Sequence, residues 1–179
     1  MEDLGQQLAS SLQGRVCVMG VGNVEYRDDG FGVYLAERLL RAGILLDTGI
    51  KEVIIAGNTP ENCLGRIAEQ GFDHLLLLDA ANFGGQPGAI VFLNASQIVA
   101  AFPQISTHKI SLGVLARTLE AAGTHVWLLA AQPESLAAGR ALSATLQESL
   151  EIAQELLIES RNTRESEPGS FGCQEKVLA

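Results

Sequence analysis

Basic residues, cysteines and long apolar runs are all scarce in this sequence of 179 residues, and each shortage excludes a class of protein. Lysine and arginine number 12 against 21 acidic residues, which gives a formal net charge of −9. That balance argues against binding to nucleic-acid phosphates and against docking on an anionic membrane surface. The three cysteines form no C-x-x-C pair and are odd in number, so we expect a reducing compartment and no disulfide scaffold.

The apolar stretches are too short to cross a membrane. The longest run, 126–131 with its neighbours, is far below the roughly 20 residues that a spanning helix needs. The N-terminus lacks a basic region followed by an apolar core, so no signal peptide is predicted. We therefore predict a cytoplasmic protein. Its composition, 47% hydrophobic and 18% charged, is that of a globular chain, and its length suits one domain.

Apolar segments with strand character alternate with segments of helical periodicity along most of the chain. Residues 1–14 suit either a short helix or a frayed end. The alternation predicts an α/β fold of three layers, α/β/α, in which helices cover both faces of a mostly parallel, twisted sheet of about five strands. Strands are predicted at 15–20, 52–56, 75–79, 89–93 and 124–131, and helices from 31 to a stop at Gly43, from about 61, at 109–121 and at 141–159.

Connection lengths and composition add two features to this fold. The link between segments 75–79 and 89–93 is too short for a parallel crossover, so segment 89–93 is predicted to be an antiparallel edge strand. Residues 160–179 combine Pro, Gly, Ser and mixed charge, and we predict that they form a flexible C-terminal tail. The sequence therefore predicts a single α/β domain spanning 1–159.

Three segments expected at the carboxyl ends of the strands carry residues that suit a binding site, and open α/β sheets bind ligands at this edge. Asp29 lies in the loop 20–30, Asp79 ends the third strand, and His108 lies at the start of a helix. Two carboxylates and an imidazole suit nickel, zinc or iron(II) and leave coordination positions open. Simpler roles also fit: Asp29 as a helix cap, Asp79 as an acceptor for backbone N–H groups, and His108 as a cap or surface residue.

Other chemistries find less support in the sequence. The glycine-rich loop 20–30 fails the G-x-G-x-x-G fingerprint because Glu25 occupies the third glycine position, and Asp28 and Asp29 would repel a phosphate. The sequence contains no P-loop motif and no G-x-S-x-G elbow. A nucleotide site and a hydrolase serine are therefore not predicted.

The remaining reactive side chains are expected to be structural. Cys17 lies inside a predicted strand and is expected to be an inert core residue. Cys63 lies at a helix start, a position that lowers the pKa of a thiol, but packing is the favoured role. His74 and His125 precede or open strands, so both are predicted at the amino ends, on the edge of the sheet opposite the candidate site.

Short motifs in a fixed order carry a resemblance to a known family. They are Gly20-Val-Gly-Asn23 with Arg27-Asp-Asp-Gly-Phe-Gly32, Asn58-Thr-Pro-Glu-Asn62, Leu77-Leu-Asp79-Ala80, Pro87-Gly88, Thr107-His108 and Gln132-Pro-Glu-Ser135. From about Arg15 to Ile158 the chain resembles the [NiFe]-hydrogenase maturation endopeptidases, in particular the formate-hydrogenlyase type. Two loops depart from the family pattern. Ala56-Gly57-Asn58 stands where Asp-Gly-Gly is common, and Asn82 and Phe83 are unusual.

The resemblance implies a peptidase of the type described as aspartyl, which removes a C-terminal extension from the precursor of a [NiFe]-hydrogenase large subunit. It implies that cleavage follows nickel insertion, and that Asp29, rather than Asp28, joins Asp79 and His108 as metal ligands and catalytic residues. The Ni²⁺ ion would be delivered in the substrate, and Zn²⁺ or Cd²⁺ would replace it in a crystal. We expect a monomer. Asp28 would be a partner of the ligands, a base or a solvated loop residue.

Two other functions remain compatible with the same residues. One is a non-catalytic assembly factor that binds nickel and the precursor without cutting. The other is a metal-independent peptidase on the same scaffold, as in the spore germination protease, whose fold this one resembles. The first predicts a stable complex with no change in precursor mass, and the second predicts cleavage that survives chelation.

Overall fold

The structure, a computed structural model, describes residues 3–45, 49–102 and 111–162. Its strands are β1 (Val16–Val21), β2 (Ile50–Gly57), β3 (His74–Ala80), β4 (Ile90–Asn94) and β5 (His125–Ala131). They form one sheet in the order β2-β1-β3-β5-β4. Neighbouring strands are parallel, except that β4 runs antiparallel to β5. The predicted sheet is therefore confirmed, including its antiparallel edge strand.

Helices cover both faces of this sheet. They are α1 (Leu4–Ser11), α2 (Phe31–Arg41), α3 (Leu64–Gln70), α4 (Ala95–Ala101), α5 (Leu112–Ala121) and α6 (Ala144–Asn162). Apolar side chains of α1, α2 and α6 belong to the core on one face. Those of α3, α4 and α5 belong to the core on the other face. The three-layer architecture predicted from the sequence is thus confirmed.

The central strands are apolar over most of their length because both of their faces are buried. In β1, Val16 and Val18 pack into one core, whereas Cys17 and Met19 pack into the other. The leucines of β3 divide between the two cores in the same alternating way. Strands buried on both sides read as continuous apolar runs, and this is why the sequence predicts them correctly.

Helix ends and one short helix differ from the sequence prediction. The sequence patterns do not predict α4, which has only seven residues and is stabilised by a capping box between Asn94 and Gln97. Helix α6 begins at Ala144 rather than 141 and ends at Asn162 rather than 159, so the first three residues of the predicted tail, 160–162, are helical. Ser143, just before it, caps the helix, because its Oγ accepts a hydrogen bond from the N–H of Leu146 while its backbone N–H and hydroxyl donate to the buried carboxylate of Asp28.

Residues 103–110 and 163–179 lie outside the described residues, so the predicted helix start at 109 and most of the predicted tail remain predictions. Within the described residues, α5 follows Ser111, whose Oγ accepts a hydrogen bond from the N–H of Val114. None of the helices in the described part of the chain is long and apolar enough to cross a membrane.

Candidate functional site

The loop after β1 folds back over the carboxyl end of the sheet. Gly22 has a φ of 130°, and a Cβ there would lie 1.8 Å from the carbonyl oxygen of Asp29, so only glycine fits. The N–H of Gly22 donates to the carbonyl of Gly57, at the end of β2, over 3.0 Å. A 3-10 turn, Arg27–Gly30, then leads into α2. The turn that contains Asp29 is therefore held close to the ends of β1 and β2.

A glycine in the first turn of α2 lets this helix touch the sheet. A Cβ on Gly32 would lie 1.9 Å from the carbonyl oxygen of Leu78, in β3, and 2.4 Å from that of Val21, in β1. Asp79 follows Leu78 directly, and Asp29 precedes Gly32 by less than one helical turn. The close contact therefore places Asp29 and Asp79 at the same corner of the sheet, beyond the carboxyl ends of β1 and β3.

Both candidate carboxylates are buried but have different partners. Asp29 is 6% exposed, and its Oδ2 accepts a hydrogen bond from the N–H of Asn23 over 2.9 Å. Asp79 is 2% exposed, and its Oδ1 accepts from the N–H of Ala80 over 2.8 Å. His108, the third candidate, lies outside the described residues. Among the described residues, no group of three His, Cys, Asp or Glu side chains is close enough to hold a metal ion.

Asp28 is not a solvated loop residue, which corrects one of the roles expected for it. Its exposure is 0%, and its carboxylate accepts hydrogen bonds from the backbone N–H groups of Glu134, Ser135 and Ser143, at 2.7–2.9 Å. The hydroxyl of Ser143 donates a further one over 3.0 Å. These donors occupy both oxygens, so Asp28 is committed to holding the segment after β5.

Gln132 is a buried polar residue of this region whose role the sequence motifs do not reveal. It follows β5 and is 7% exposed. Its Oε1 accepts from the N–H groups of Phe83 and Gly85, and its Nε2 donates to Oδ1 of Asn82. The loop after Asp79 is therefore held by a residue more than forty positions later. The available signal was position: a polar residue directly after a central strand, at the carboxyl edge.

The two described thiols are not activated. Burial raises the pKa of Cys17 to about 12, which agrees with the expected inert core residue. Burial, and then the neighbouring Glu61 carboxylate, raise the pKa of Cys63 as well. The expectation that this helix start lowers the pKa of Cys63 is therefore wrong, because desolvation and the nearby negative charge both disfavour the thiolate.

His74 and His125 lie at the amino ends of β3 and β5, as predicted, and face each other across the parallel pair. Their ring centroids are 5.4 Å apart. Nε1 of Trp127 donates to Nδ1 of His74 over 3.1 Å, and Nδ1 of His125 lies 3.4 Å from the carboxylate of Glu120. These contacts are at the edge of the sheet opposite Asp29 and Asp79, so the histidine pair is separate from the candidate site.

Comparison with known proteins assigns the chain to a family. The family model described as HycI, hydrogenase maturation protease, matches residues 33–160. Hydrogenase 2 maturation protease of Escherichia coli K12 is 30% identical over 149 residues, which cover 80% of this chain and 88% of that protein. Hydrogenase 3 maturation protease of the same strain is 34% identical over 114 residues, covering 64% of this chain and 70% of that protein.

Solved structures agree with the sequence relatives. The crystal structure of the [NiFe] hydrogenase maturation protease HycI from Thermococcus kodakarensis KOD1 superposes with a TM-score of 0.73 at 29% identity, covering 87% of this chain and 99% of that one. The hydrogenase-maturating endopeptidase HybD from E. coli gives a TM-score of 0.69 at 28% identity, over 85% of this chain and 93% of that one. The chain therefore belongs to the hydrogenase maturation protease family and is an endopeptidase.

Proposed function

We propose that this protein removes the C-terminal extension of a [NiFe]-hydrogenase large-subunit precursor and that it acts on the nickel-loaded form. The observation that carries the proposal is the pair of buried carboxylates, Asp29 and Asp79, at one corner of the carboxyl edge of the sheet. Carboxylate oxygens are ligands for divalent metal ions, and a bound cation compensates the negative charge of buried carboxylates. The substrate's own nickel is a cation that would reach this corner.

In this proposal Asp29, Asp79 and His108 bind the nickel ion that the precursor carries. Carboxylate and imidazole ligands are compatible with Ni²⁺, and thiolates of the precursor would complete the shell. Nickel held there would supply Lewis-acid chemistry for the cleavage. Asp29 suits the ligand role better than Asp28. Within the described residues Asp29 accepts one hydrogen bond, from the N–H of Asn23, whereas Asp28 accepts hydrogen bonds from several donors.

The thiols support a mechanism that does not use cysteine as the nucleophile. The thiolate is the reactive form of cysteine, and the pKa values of Cys17 and Cys63 are both raised. At neutral pH both side chains therefore remain protonated. The described part of the chain offers no thiolate for attack on a peptide bond, which favours water as the attacking group.

The direct experiment uses the full chain and two forms of one precursor. We expect the nickel-loaded precursor to lose the mass of its C-terminal extension, and the nickel-free precursor to stay intact. An intact nickel-loaded precursor in a stable complex would favour the assembly factor. Cleavage of the nickel-free form in the presence of a chelator would favour the metal-independent peptidase. Either result would overturn the proposal.

The ligand assignment has its own test in three substitutions. We expect Asp29→Asn, Asp79→Asn and His108→Ala each to lower kcat/KM more than about 100-fold, beyond the 10–100-fold typical of residues that only support a ligand. The matched control is Asp73→Asn, at the opposite end of β3, where the carboxylate accepts from the N–H of Arg15. Its kcat/KM should stay within about twofold of the wild type. Full activity in any of the three would remove that residue from the site.

A further inference from the structure

One segment, residues 132–143, is bonded to both of the loops that carry the acidic residues. We call it the bridging segment. It leaves the carboxyl end of β5, crosses the site edge of the sheet, and ends where α6 begins. Two buried polar side chains attach it to these loops: Gln132, which belongs to the segment, and Asp28, which belongs to the 3-10 turn. Neither residue is assigned a role by the proposed chemistry.

The first attachment fixes the loop after Asp79. The side-chain oxygen of Gln132 accepts the N–H groups of Phe83 and Gly85 over 3.0 and 3.1 Å. The backbone of Gln132 adds two more bonds, accepting from Gly88 and donating to Ala89. Gln132 therefore holds the loop between β3 and β4 through both its side chain and its backbone.

The second attachment fixes the turn that contains Asp29. The carboxylate of Asp28 has no cationic partner in the described residues and takes its donors from Glu134, Ser135 and Ser143. A fully buried carboxylate without such donors would carry a large desolvation cost, so the carboxylate and the bridging segment stabilise each other. Removal of either leaves the buried polar groups of the other unsatisfied.

The backbone between these attachments contributes a third link. The N–H of Arg27 donates to the carbonyl of Gly139 over 2.6 Å, and the N–H of Gly139 donates to the carbonyl of Glu25 over 2.8 Å. Arg27 has a φ of 44°, a left-handed conformation that costs free energy for a non-glycine residue. The bridging segment thus holds the turn in a conformation that the turn would not keep by itself.

We propose that Asp28 and Gln132 are positioning residues, which act through the bridging segment to set the position of Asp29 relative to Asp79. This inference rests on the proposed site. Asp28 does so from the side of the 3-10 turn, and Gln132 from the side of the loop after β3. Neither side chain contacts the substrate, because the hydrogen-bonding atoms of both are committed to the protein.

The test uses substitutions that keep side-chain size and remove hydrogen bonds. Asp28→Asn presents one acceptor oxygen where two were needed and turns an NH₂ group toward backbone donors. Gln132→Met removes both polar atoms of the side chain. Ser143→Ala is milder and serves if either variant fails to fold, because it removes only the hydroxyl among the donors to Asp28. The control is Thr124→Val, which removes a buried hydrogen bond to the carbonyl of Phe72 at the opposite edge of the sheet.

The measurement is the binding of Ni²⁺ alone to the full chain, by calorimetric titration, together with kcat/KM for precursor cleavage. We expect Asp28→Asn and Gln132→Met to raise the Kd for Ni²⁺ about 10–100-fold at unchanged stoichiometry, as residues that orient metal ligands do. Thr124→Val should leave the Kd unchanged. Loss of folded protein alone would lower the stoichiometry of binding and leave the Kd as in the wild type, so the two causes are separable.

A wild-type Kd in folded Asp28→Asn and Gln132→Met would overturn the inference while leaving the proposed function intact. If the wild-type chain itself binds no Ni²⁺, the metal part of the proposed function fails instead. The inference is then decided by cleavage: kcat/KM per folded molecule within twofold of the wild type in both variants would overturn it, and a tenfold or larger loss restricted to them would support it.

Discussion

At the scale of single residues, Asp28 and Asp29 show how neighbours of the same type acquire different roles. Both are buried, at 0% and 6% exposure. Asp28 accepts hydrogen bonds from three backbone N–H groups and a hydroxyl, whereas Asp29 has one recorded donor in the described residues. A carboxylate whose lone pairs are occupied stabilises the fold, and one with an unoccupied oxygen suits a ligand.

Cys17 gives a prediction at this scale for the pH dependence of stability. The unfolded chain releases the thiol proton near the ordinary pKa of 9.0, but the folded chain keeps it until about 12. Because the folded state binds the proton more tightly between these values, stability falls as pH rises through this window. The free energy of unfolding should decrease by up to about 1.4 kcal/mol per pH unit.

Urea denaturation of the reduced protein between pH 9 and 11 measures this decrease. The comparison is Cys17→Val, which keeps an apolar side chain in β1 and has no titrating group. We expect the wild type to lose stability more steeply than the variant. Equal slopes in the two proteins would contradict a raised pKa for Cys17.

At the scale of elements, the approach of α2 to the sheet determines where the acidic turn lies. Gly32 in α2 and Gly20 in β1 remove the side chains that would separate the two elements. A Cβ on Gly20 would lie 2.6 Å from the carbonyl oxygen of Gly32. The close approach of α2 to β1 therefore requires glycine at position 20 as well as at position 32. The position of Asp29 therefore depends on a backbone contact between a helix and two strands.

Two glycine-to-alanine substitutions test this contact. Gly32→Ala should destabilise the protein by about 3 kcal/mol or more, the upper end for overpacking, because the new Cβ meets backbone rather than a movable side chain. It should also abolish cleavage in the molecules that fold. Gly65→Ala in α3 is the matched control, since nothing lies within 4 Å of its Cβ.

The control should raise the free energy of unfolding by about 0.4–1 kcal/mol, because alanine reduces the entropy of the unfolded chain. Both values come from thermal or urea denaturation, and cleavage is followed by precursor mass. Equal stability of Gly32→Ala and Gly65→Ala would show that α2 does not touch the sheet as described.

At the scale of the whole molecule, the sheet separates two edges with different contents. The carboxyl edge holds Asp29, Asp79 and the bridging segment, and the amino edge holds the His74–His125 pair. Central strands β1, β3 and β5 have neighbours on both sides, whereas β2 and β4 lie at the ends of the sheet. Stability should therefore be highest in the middle of the sheet and lowest at its margins.

Amide hydrogen exchange tests this gradient. Amides of β3 should exchange slowest, near the rate set by global unfolding, because both neighbouring strands and both cores must open. Amides of β4 that bond to β5 should exchange at least about tenfold faster, since β4 is half-buried and has one neighbour. Mass spectrometry of peptides covering 74–80 and 90–94 gives both rates. Similar protection of the two peptides would contradict the gradient.

The sequence by itself determined the α/β layers, the mostly parallel sheet with its antiparallel edge, the location of Asp79 at the end of the third strand, and that of Asp29 in the loop after the first. These follow from local signals: apolar runs, helical periodicity, short links and stop residues. The sequence did not predict the short helix α4, because seven residues are too few to show a clear helical periodicity. His108 is a sequence prediction still, since it lies outside the described residues.

Only the tertiary structure decided the difference between Asp28 and Asp29, the part played by Gln132, and the late start of α6. The donors to Asp28 come from residues 106 to 115 positions further along the chain. No local sequence pattern indicates which distant N–H group will hydrogen-bond to a given carboxylate. The reason is physical: hydrogen-bond satisfaction depends on which backbone segments the folded sheet brings together, and that is settled after the strands have paired.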